Sequence, residues 1–169
     1  GSTGSSKHFD IHMGGIAGRI VGGNSSIINC HNKGRVTNMH YNNQPWTTTY
    51  NTNSTGGILG SFGAKNNPVG TITIENCTSG ELGSTTKGAI TAAGTPSSGI
   101  TLGGIMGLTS HHFTATGCKN YGPIKQTGAG GAGNSYRSSI AGILGAAPND
   151  GTYTITITNC ENYGNISYG

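Results

Sequence analysis

The fold is indicated by two stretches that occur together four times, Ala141-Gly142-Ile143-Leu144-Gly145 and Asn159-Cys160-Glu161-Asn162-Tyr163-Gly164-Asn165-Ile166. Earlier copies of the first stretch are Gly14-Gly15-Ile16-Ala17-Gly18, Gly56-Gly57-Ile58-Leu59-Gly60 and Gly103-Gly104-Ile105-Met106-Gly107. Earlier copies of the second are Asn29-Cys30-His31-Asn32-Lys33-Gly34-Arg35-Val36, the shorter Asn76-Cys77-Thr78-Ser79-Gly80-Glu81-Leu82, and Gly117-Cys118-Lys119-Asn120-Tyr121-Gly122-Pro123-Ile124. The cysteines are 47, 41 and 42 residues apart. Self-similarity at such a period is the signature of a repeat architecture.

The composition excludes several classes of protein. Gly makes up 32 of 169 residues and charged residues only 8 %, against averages of about 7 % and 25 %. Disorder is not expected, because Ile, Val and Leu recur at fixed offsets from Gly and Cys and each repeat can bury them against its neighbours. The net charge of +4 is dispersed, whereas nucleic-acid binding needs clustered positive charge. No apolar run approaches the roughly 20 residues of a membrane span.

The residues before each Cys alternate with a period of two. The pattern is clearest in 151–158, where Thr alternates with Tyr or Ile, and it recurs in 70–74 and 112–116. Alternating β-branched residues indicate a strand with one buried face. Asn29, Asn76 and Asn159 break the alternation and are predicted to be corners, because Asn tolerates left-handed backbone angles; Gly117 takes the same place.

These patterns predict an all-β parallel β-helix, or β-solenoid, of about four coils with three short strands per coil. Residues 1–169 form one domain with repeats at approximately 11–39, 54–82, 100–124 and 138–166. A β-propeller with four strands per blade is the less favoured alternative. The following side chains are expected to be buried: Ile72, Ile74, Cys77, Leu82, Ile105, Cys118, Ile124, Ile143, Ile155, Ile157, Cys160 and Ile166.

The four cysteines have two interpretations. In a solenoid, Cys30, Cys77, Cys118 and Cys160 stack in a column, and we favour buried free thiols that behave as small apolar residues. The alternative is a pair of disulfides, Cys30–Cys77 and Cys118–Cys160, since the spacing of about 4.8 Å between neighbouring strands lies within the disulfide range.

No catalytic constellation emerges from the residues, and no enzyme activity, metal or cofactor is predicted. The acids are only Asp10, Glu75, Glu81, Asp150 and Glu161, and their placement does not suggest the facing pair that glycoside hydrolysis needs. The cysteines lack the short spacing of zinc ligands. The six His residues are expected to be exposed polar side chains.

One segment is richer in aromatic residues than the architecture requires. Tyr41, Trp46 and Tyr50 lie among Asn, Gln and Thr in residues 41–53, between two repeats. Planar rings beside amides suit sugar rings, so this segment is the predicted glycan-binding site. Folding of Trp46 back onto the solenoid is an equally weighted alternative.

The Gly-Gly-Ile-x-Gly and Asn-Cys-x-Asn-x-Gly-x-Ile motifs resemble the GLUG-type repeats of bacterial surface and adhesin-like proteins. The resemblance implies an extracellular or cell-surface, non-enzymatic structural or adhesive module, whose partner is a host or surface glycan or protein. Two alternatives stay open: end-to-end self-association into a filament, since unpaired strand edges can template another chain, and ice binding through outward Thr columns.

Overall fold

The computed structural model describes residues 10–39, 53–63, 69–93, 100–127, 138–148 and 152–169. Within these residues the protein contains twenty short β-strands and no helix. Accordingly, the described part contains no helix long and apolar enough to cross a membrane.

The strands follow one another in four similar coils. The first coil contains β1 (Ile11–Gly14), β2 (Ala17–Ile20), β3 (Ser25–Ile28), β4 (His31–Asn32) and β5 (Val36–Met39). The second contains β6 (Asn53–Gly56), β7 (Leu59–Phe62), β8 (Thr71–Glu75), β9 (Thr78–Ser79) and β10 (Ile90–Ala93). The third contains β11 (Ile100–Gly103), β12 (Met106–Thr109), β13 (His112–Thr116), β14 (Lys119–Asn120) and β15 (Ile124–Thr127). The fourth contains β16 (Ser139–Ala141), β17 (Leu144–Ala146), β18 (Ile155–Thr158), β19 (Glu161–Asn162) and β20 (Ile166–Tyr168).

Equivalent strands of successive coils pair in parallel and form five four-stranded sheets. One sheet has the order β1-β6-β11-β16, and the others follow the same coil-by-coil order. The register aligns equivalent residues: Ile27 pairs with Ile74, Ile74 with Ala115, and Ala115 with Ile157. This arrangement confirms the predicted parallel β-solenoid of about four coils.

Each coil has five strands rather than the predicted three. The Gly-Gly-Ile motif is a bend between two strands, not a strand, since residues 15–16, 57–58, 104–105 and 142–143 separate β1 from β2 and their equivalents. A two-residue strand also follows each Cys. Strands this short do not show a period-two pattern, which is why the sequence did not indicate them.

The corners before the cysteines have left-handed backbone angles. Asn29, Asn76 and Asn159 have φ of 55°, 51° and 53°, and Gly117 has φ of 63°. The three Asn are the non-Gly residues with positive φ among those that the structure describes. A single αL residue turns the chain, so that the cysteine after it points into the solenoid.

The second coil continues past its predicted end at Leu82. Val36 pairs with Ile90, and Ile90 pairs with Ile124, so Ile90 is the inward residue of this coil. Leu82 is 73 % exposed and the prediction that it is buried was wrong. In the sequence, Gly80-Glu81-Leu82 resembles the end of the other repeats. In the structure, an insertion follows Ser79, and Gly88-Ala89-Ile90 is the equivalent of Gly122-Pro123-Ile124.

Buried side chains form two clusters that run through the coils. The larger cluster includes Ile58, Phe62, Ile74 and Phe113, and the smaller is formed by residues of the β10 and β11 region such as Ile90 and Leu102. Burial is greatest in the second and third coils, because each has a coil on both sides.

The fourth coil departs from the predicted burial. Ile157 and Ile166 are 45 % and 47 % exposed, so the prediction that they are buried was wrong, while Ile143, Ile155 and Cys160 are only partly buried. Ile157 and Ile166 occupy the same columns as Ile74 and Ile124, which are fully buried. They are exposed because β18 and β20 have a neighbouring strand on one side only.

Candidate functional site

The predicted glycan-binding residues Tyr41, Trp46 and Tyr50 lie outside the described residues. Four features stand out: the cysteine column, the contact between the two repeat motifs, a hydroxyl-bearing face, and a groove beside an inserted loop.

The four cysteines are free and stack in one column. The backbone N–H of Cys30 donates to Sγ of Cys77 at 3.4 Å, and that of Cys118 donates to Sγ of Cys160 at 3.4 Å. The thiols of Cys77 and Cys118 in turn donate to the carbonyls of Ile27 and Ile74 in the preceding coil, at 3.4 and 3.3 Å. The thiol column thus links the coils by hydrogen bonds.

The central thiols are placed for structure rather than for reaction. Cys77 and Cys118 are fully buried. A hydrogen bond to the thiol of Cys77, together with burial, raises the pKa of Cys118. The same hydrogen bond lowers the pKa of Cys77. Because both thiols are fully buried, neither is accessible to a substrate or a metal ion, whichever of the two holds the proton.

The two repeat motifs contact each other in the interior, and this contact was not predicted. A Cβ on Gly15 would lie 2.2 Å from Nδ2 of Asn32, and one on Gly104 would lie 2.6 Å from Cγ of Asn120. The second Gly of Gly-Gly therefore leaves room for the Asn of Asn-x-Gly. The recurrence of both motifs in every repeat was the available signal, but it did not show that they touch.

These Asn side chains also satisfy buried backbone groups. Nδ2 of Asn32 donates to the carbonyls of Gly34 and Gly57 at 3.0 Å each, and Oδ1 accepts from the N–H of Gly34 at 2.9 Å. Nδ2 of Asn120, in the third coil, donates to Oδ1 of Asn162, in the adjacent fourth coil, at 2.7 Å. The residues that define the repeat are therefore used to hold the coils together.

One outer face carries a row of hydroxyl groups. Ser26, Thr73, Thr114 and Thr156 occupy the same position of β3, β8, β13 and β18. The column two residues further along the same strands contains different residue types, namely Ile28, Glu75, Thr116 and Thr158. A single uniform row is a weak basis for ice binding, which stays a prediction.

An inserted loop distinguishes the second coil from the others. The other coils have one residue between the Asn of Asn-x-Gly and the following Gly, whereas the second has residues 80–87 between Ser79 and Gly88. The loop is closed at its base, since a Cβ on Gly88 would lie 2.2 Å from Cα of Gly80. Compact loops with adjacent ends are Ω-loops and are frequently functional.

Hydrogen bonds within the loop hold its shape. The N–H of Ser84 donates to the carbonyl of Glu81 at 3.0 Å, and Oγ of Ser84 accepts from the N–H of Lys87 at 3.1 Å. Nζ of Lys87 also lies 2.5 Å from a carboxylate oxygen of Glu81. The loop therefore presents its outer side chains in a defined arrangement.

Beside the loop lies a groove that we call the tyrosine groove. It has a volume of about 260 Å³, and it is lined by Leu82, Gly83, Ser84, Thr85, Tyr121, Pro123, Tyr163, Gly164 and Asn165. The rings of Tyr121 and Tyr163 are stacked, with centroids 5.2 Å apart and an angle of 13° between their planes. They stack because they hold the same position in adjacent coils.

Ion pairs flank the tyrosine groove. Nζ of Lys119 lies 2.9 Å from Oε2 of Glu161, which also accepts from the hydroxyl of Tyr163 at 2.9 Å. The hydrogen bond from Lys119 and that from Tyr163 lower the pKa of Glu161. Glu81 likewise lies near Lys87 and Lys33, and its pKa is lowered. Both carboxylates are therefore charged and paired at neutral pH.

In the described ranges, no three His, Cys, Asp or Glu side chains are grouped as metal ligands would be. The chain matches no protein-family model, and no curated protein or solved structure is significantly similar to it.

Proposed function

We propose that this chain is a non-enzymatic structural or adhesive module of an extracellular bacterial surface protein. The observation that best supports this role is the use of the repeat-defining residues. Cys, Asn and the Gly pairs bind one coil to the next, as in a scaffold. The resemblance of the motifs to GLUG-type repeats supports the cell-surface location.

Immunolabelling tests the proposed location. Antibodies raised against the purified chain should label intact cells of the source organism as strongly as permeabilised cells. Labelling that appears only after permeabilisation would overturn the extracellular assignment.

Adhesion through the segment 41–53 is part of the same proposal. Trp46→Ala should abolish retention of the chain on those immobilised oligosaccharides that the segment 41–53 binds, while leaving the thermal midpoint nearly unchanged. A midpoint lowered by several degrees with retention intact would instead make Trp46 a structural residue.

A second candidate function is assembly of copies end to end. The first and fourth coils form the two outer rows of the described sheets, and the fourth leaves Ile157 and Ile166 half exposed. His31 and Glu161 belong to one column, in which Lys119 already pairs with Glu161. Stacking a second copy on the fourth coil would bring its His31 next to Glu161 and cover both isoleucines.

Sedimentation velocity over a range of protein concentrations tests this assembly. The wild-type chain should form larger species as the concentration rises, and Ile157→Asp should prevent this. Thr156→Asp is the matched control, because Thr156 is on the same strand but faces outward. A chain that stays monomeric at every concentration contradicts the filament.

A further inference from the structure

We infer that the tyrosine groove is a binding site for an uncharged carbohydrate. The inference rests on the proposed adhesive role, and it assigns a glycan site to residues other than those of the segment 41–53.

The inserted loop is not required by the solenoid. In the other coils, one residue connects the Asn column to the Gly column, and the ladder is complete without an insertion. In the second coil the chain leaves the ladder at Gly80 and rejoins it at Gly88, whose N–H donates to the carbonyl of Lys33 at 3.2 Å. A closed, internally bonded loop that adds nothing to the coil is expected to serve another purpose.

The loop brings an exposed apolar side chain to the stacked tyrosines. Leu82 is 73 % exposed and Tyr163 is 55 % exposed, and both line the groove with Tyr121. A single exposed apolar side chain is ordinary, whereas apolar side chains gathered around one groove indicate a binding site. The groove therefore has an apolar wall formed by one leucine, Pro123 and two aromatic rings.

Polar groups complete the rim of the groove. The hydroxyls of Ser84 and Thr85 come from the loop, and the amide of Asn165 comes from the fourth coil. Small-molecule sites have this composition, with an apolar lining and a few polar groups that fix orientation. A sugar ring matches it, because its C–H groups form an apolar face and its hydroxyls exchange hydrogen bonds at its edge.

The charges and the size narrow the class of ligand. No residue that lines the groove is charged, which favours a neutral ligand. Each carboxylate beside the groove already has a lysine partner, Glu161 with Lys119 and Glu81 with Lys87 and Lys33. The volume of about 260 Å³ is just below the roughly 300–1,000 Å³ of typical small-molecule sites. A groove of this size holds about one sugar ring of a longer chain. Proline-rich peptides fit less well, because they dock on grooves that follow several turns of an extended helix.

An array of immobilised neutral, sialylated and sulfated oligosaccharides, with a set of proline-rich peptides, tests the inference on the full chain. Wild type should bind neutral oligosaccharides. Tyr163→Ala and Leu82→Ser should each weaken that binding at least tenfold, whereas Tyr163→Phe should retain it, because the ring remains. Tyr168→Ala is the matched control, an exposed tyrosine of the same coil that does not line the groove.

The outcomes separate this inference from the proposed function. Absence of binding to neutral oligosaccharides, binding unaffected by Tyr163→Ala, or a preference for acidic oligosaccharides or proline-rich peptides overturns the tyrosine groove as a neutral-sugar site. Binding lost in Trp46→Ala but kept in Tyr163→Ala would retain the adhesive role and reject the groove. Leu82→Ser keeps the test valid if Tyr163→Ala is unstable, because Leu82 makes no part of the coil ladder.

Discussion

The corner before each cysteine depends on one backbone angle. Asn29, Asn76 and Asn159 adopt φ near +50°, and Gly117 adopts φ of 63°. Most L-residues are disfavoured there because Cβ approaches the following carbonyl oxygen, whereas Asn and Gly are tolerated. This angle explains why the third repeat can replace Asn by Gly without changing the course of the chain.

Removing an inward side chain should cost most in the central coils. Ile74→Ala is expected to lower the free energy of unfolding by roughly 2–5 kcal/mol, because Ile74 is fully buried and its truncation leaves a cavity. Ile157→Ala, in the same column but 45 % exposed, should cost less than half as much. Urea denaturation of the two variants measures the difference, and equal losses would show that the end coil is covered.

His12 is expected to make stability depend on pH. Burial, and then the positive charge of Arg19, lower the pKa of His12 from its usual value near 6.5, while Asp10 opposes the shift. Its Nδ1 lies 2.7 Å from Oγ of Ser54 in the next coil. Below pH 6.5 the unfolded chain takes up a proton that folded His12 resists, so stability falls from pH 6.5 down to the lowered pKa.

Denaturation at pH 7.5 and pH 5.5 measures this effect. The wild-type chain should lose more stability on acidification than His12→Gln, which cannot titrate. Glu81 and Glu161 do not interfere, because their lowered pKa values lie below this window. Equal losses in both proteins would assign the pH dependence to other groups.

At the scale of elements, the Gly-Gly bend and the Asn-x-Gly turn form one packing unit. Each Gly-Gly bend lies against the side chain that follows Cys by two positions, which is Asn in three coils and Ser79 in the second. The absence of a Cβ allows the amide to reach backbone carbonyls that would otherwise be buried without partners. The bend and the turn therefore require each other.

Gly104→Ala tests this packing unit. The added Cβ would lie 1.9 Å from the carbonyl oxygen of Gly142 and 2.6 Å from Cγ of Asn120, so two coils must separate. Overpacking of this kind typically costs about 1–3 kcal/mol. The clash with a backbone oxygen on one side and with the buried Asn120 side chain on the other places the variant at or above that range. Gly34→Ala is the control, because its nearest neighbour is Oδ1 of Asn32 at 3.3 Å. Similar thermal midpoints for both variants would contradict a tight approach at Gly104.

For the whole molecule, each coil contacts mainly its immediate neighbours, so stability should vary along the solenoid axis. The second and third coils contain most of the fully buried side chains, whereas the residues of β18 to β20 are largely exposed. In such one-dimensional proteins the ends open more readily than the centre.

Hydrogen exchange measured by mass spectrometry should show this gradient. Amides of β8 and β13 should exchange slowest, and those of β18 and β20 should exchange at least tenfold faster. Uniform protection across the coils would mean that the chain unfolds as a single cooperative unit.

The class of fold and the positions of its corners could be predicted from the amino-acid sequence alone. Motifs recurring about every 40 residues, alternation before Cys, and Asn at the point where alternation fails are all local features, and local features can be read from a single chain. They predicted four coils, a column of cysteines and the two inward columns that contain Ile72 and Ile74.

Contacts between coils and the exposure of the end coil depend on how the coils stack, so they could not be predicted from the sequence. Leu82 matched the repeat pattern, but Ile90 occupies the inward position after the inserted loop. The register of a strand is set by its pairing with neighbouring coils rather than by residue spacing within one coil. Ile157 has the right pattern but no coil beyond it to cover it. The tyrosine groove could not be predicted for the same reason. Leu82, Tyr121 and Tyr163 belong to three different coils, and they lie together only because the coils stack.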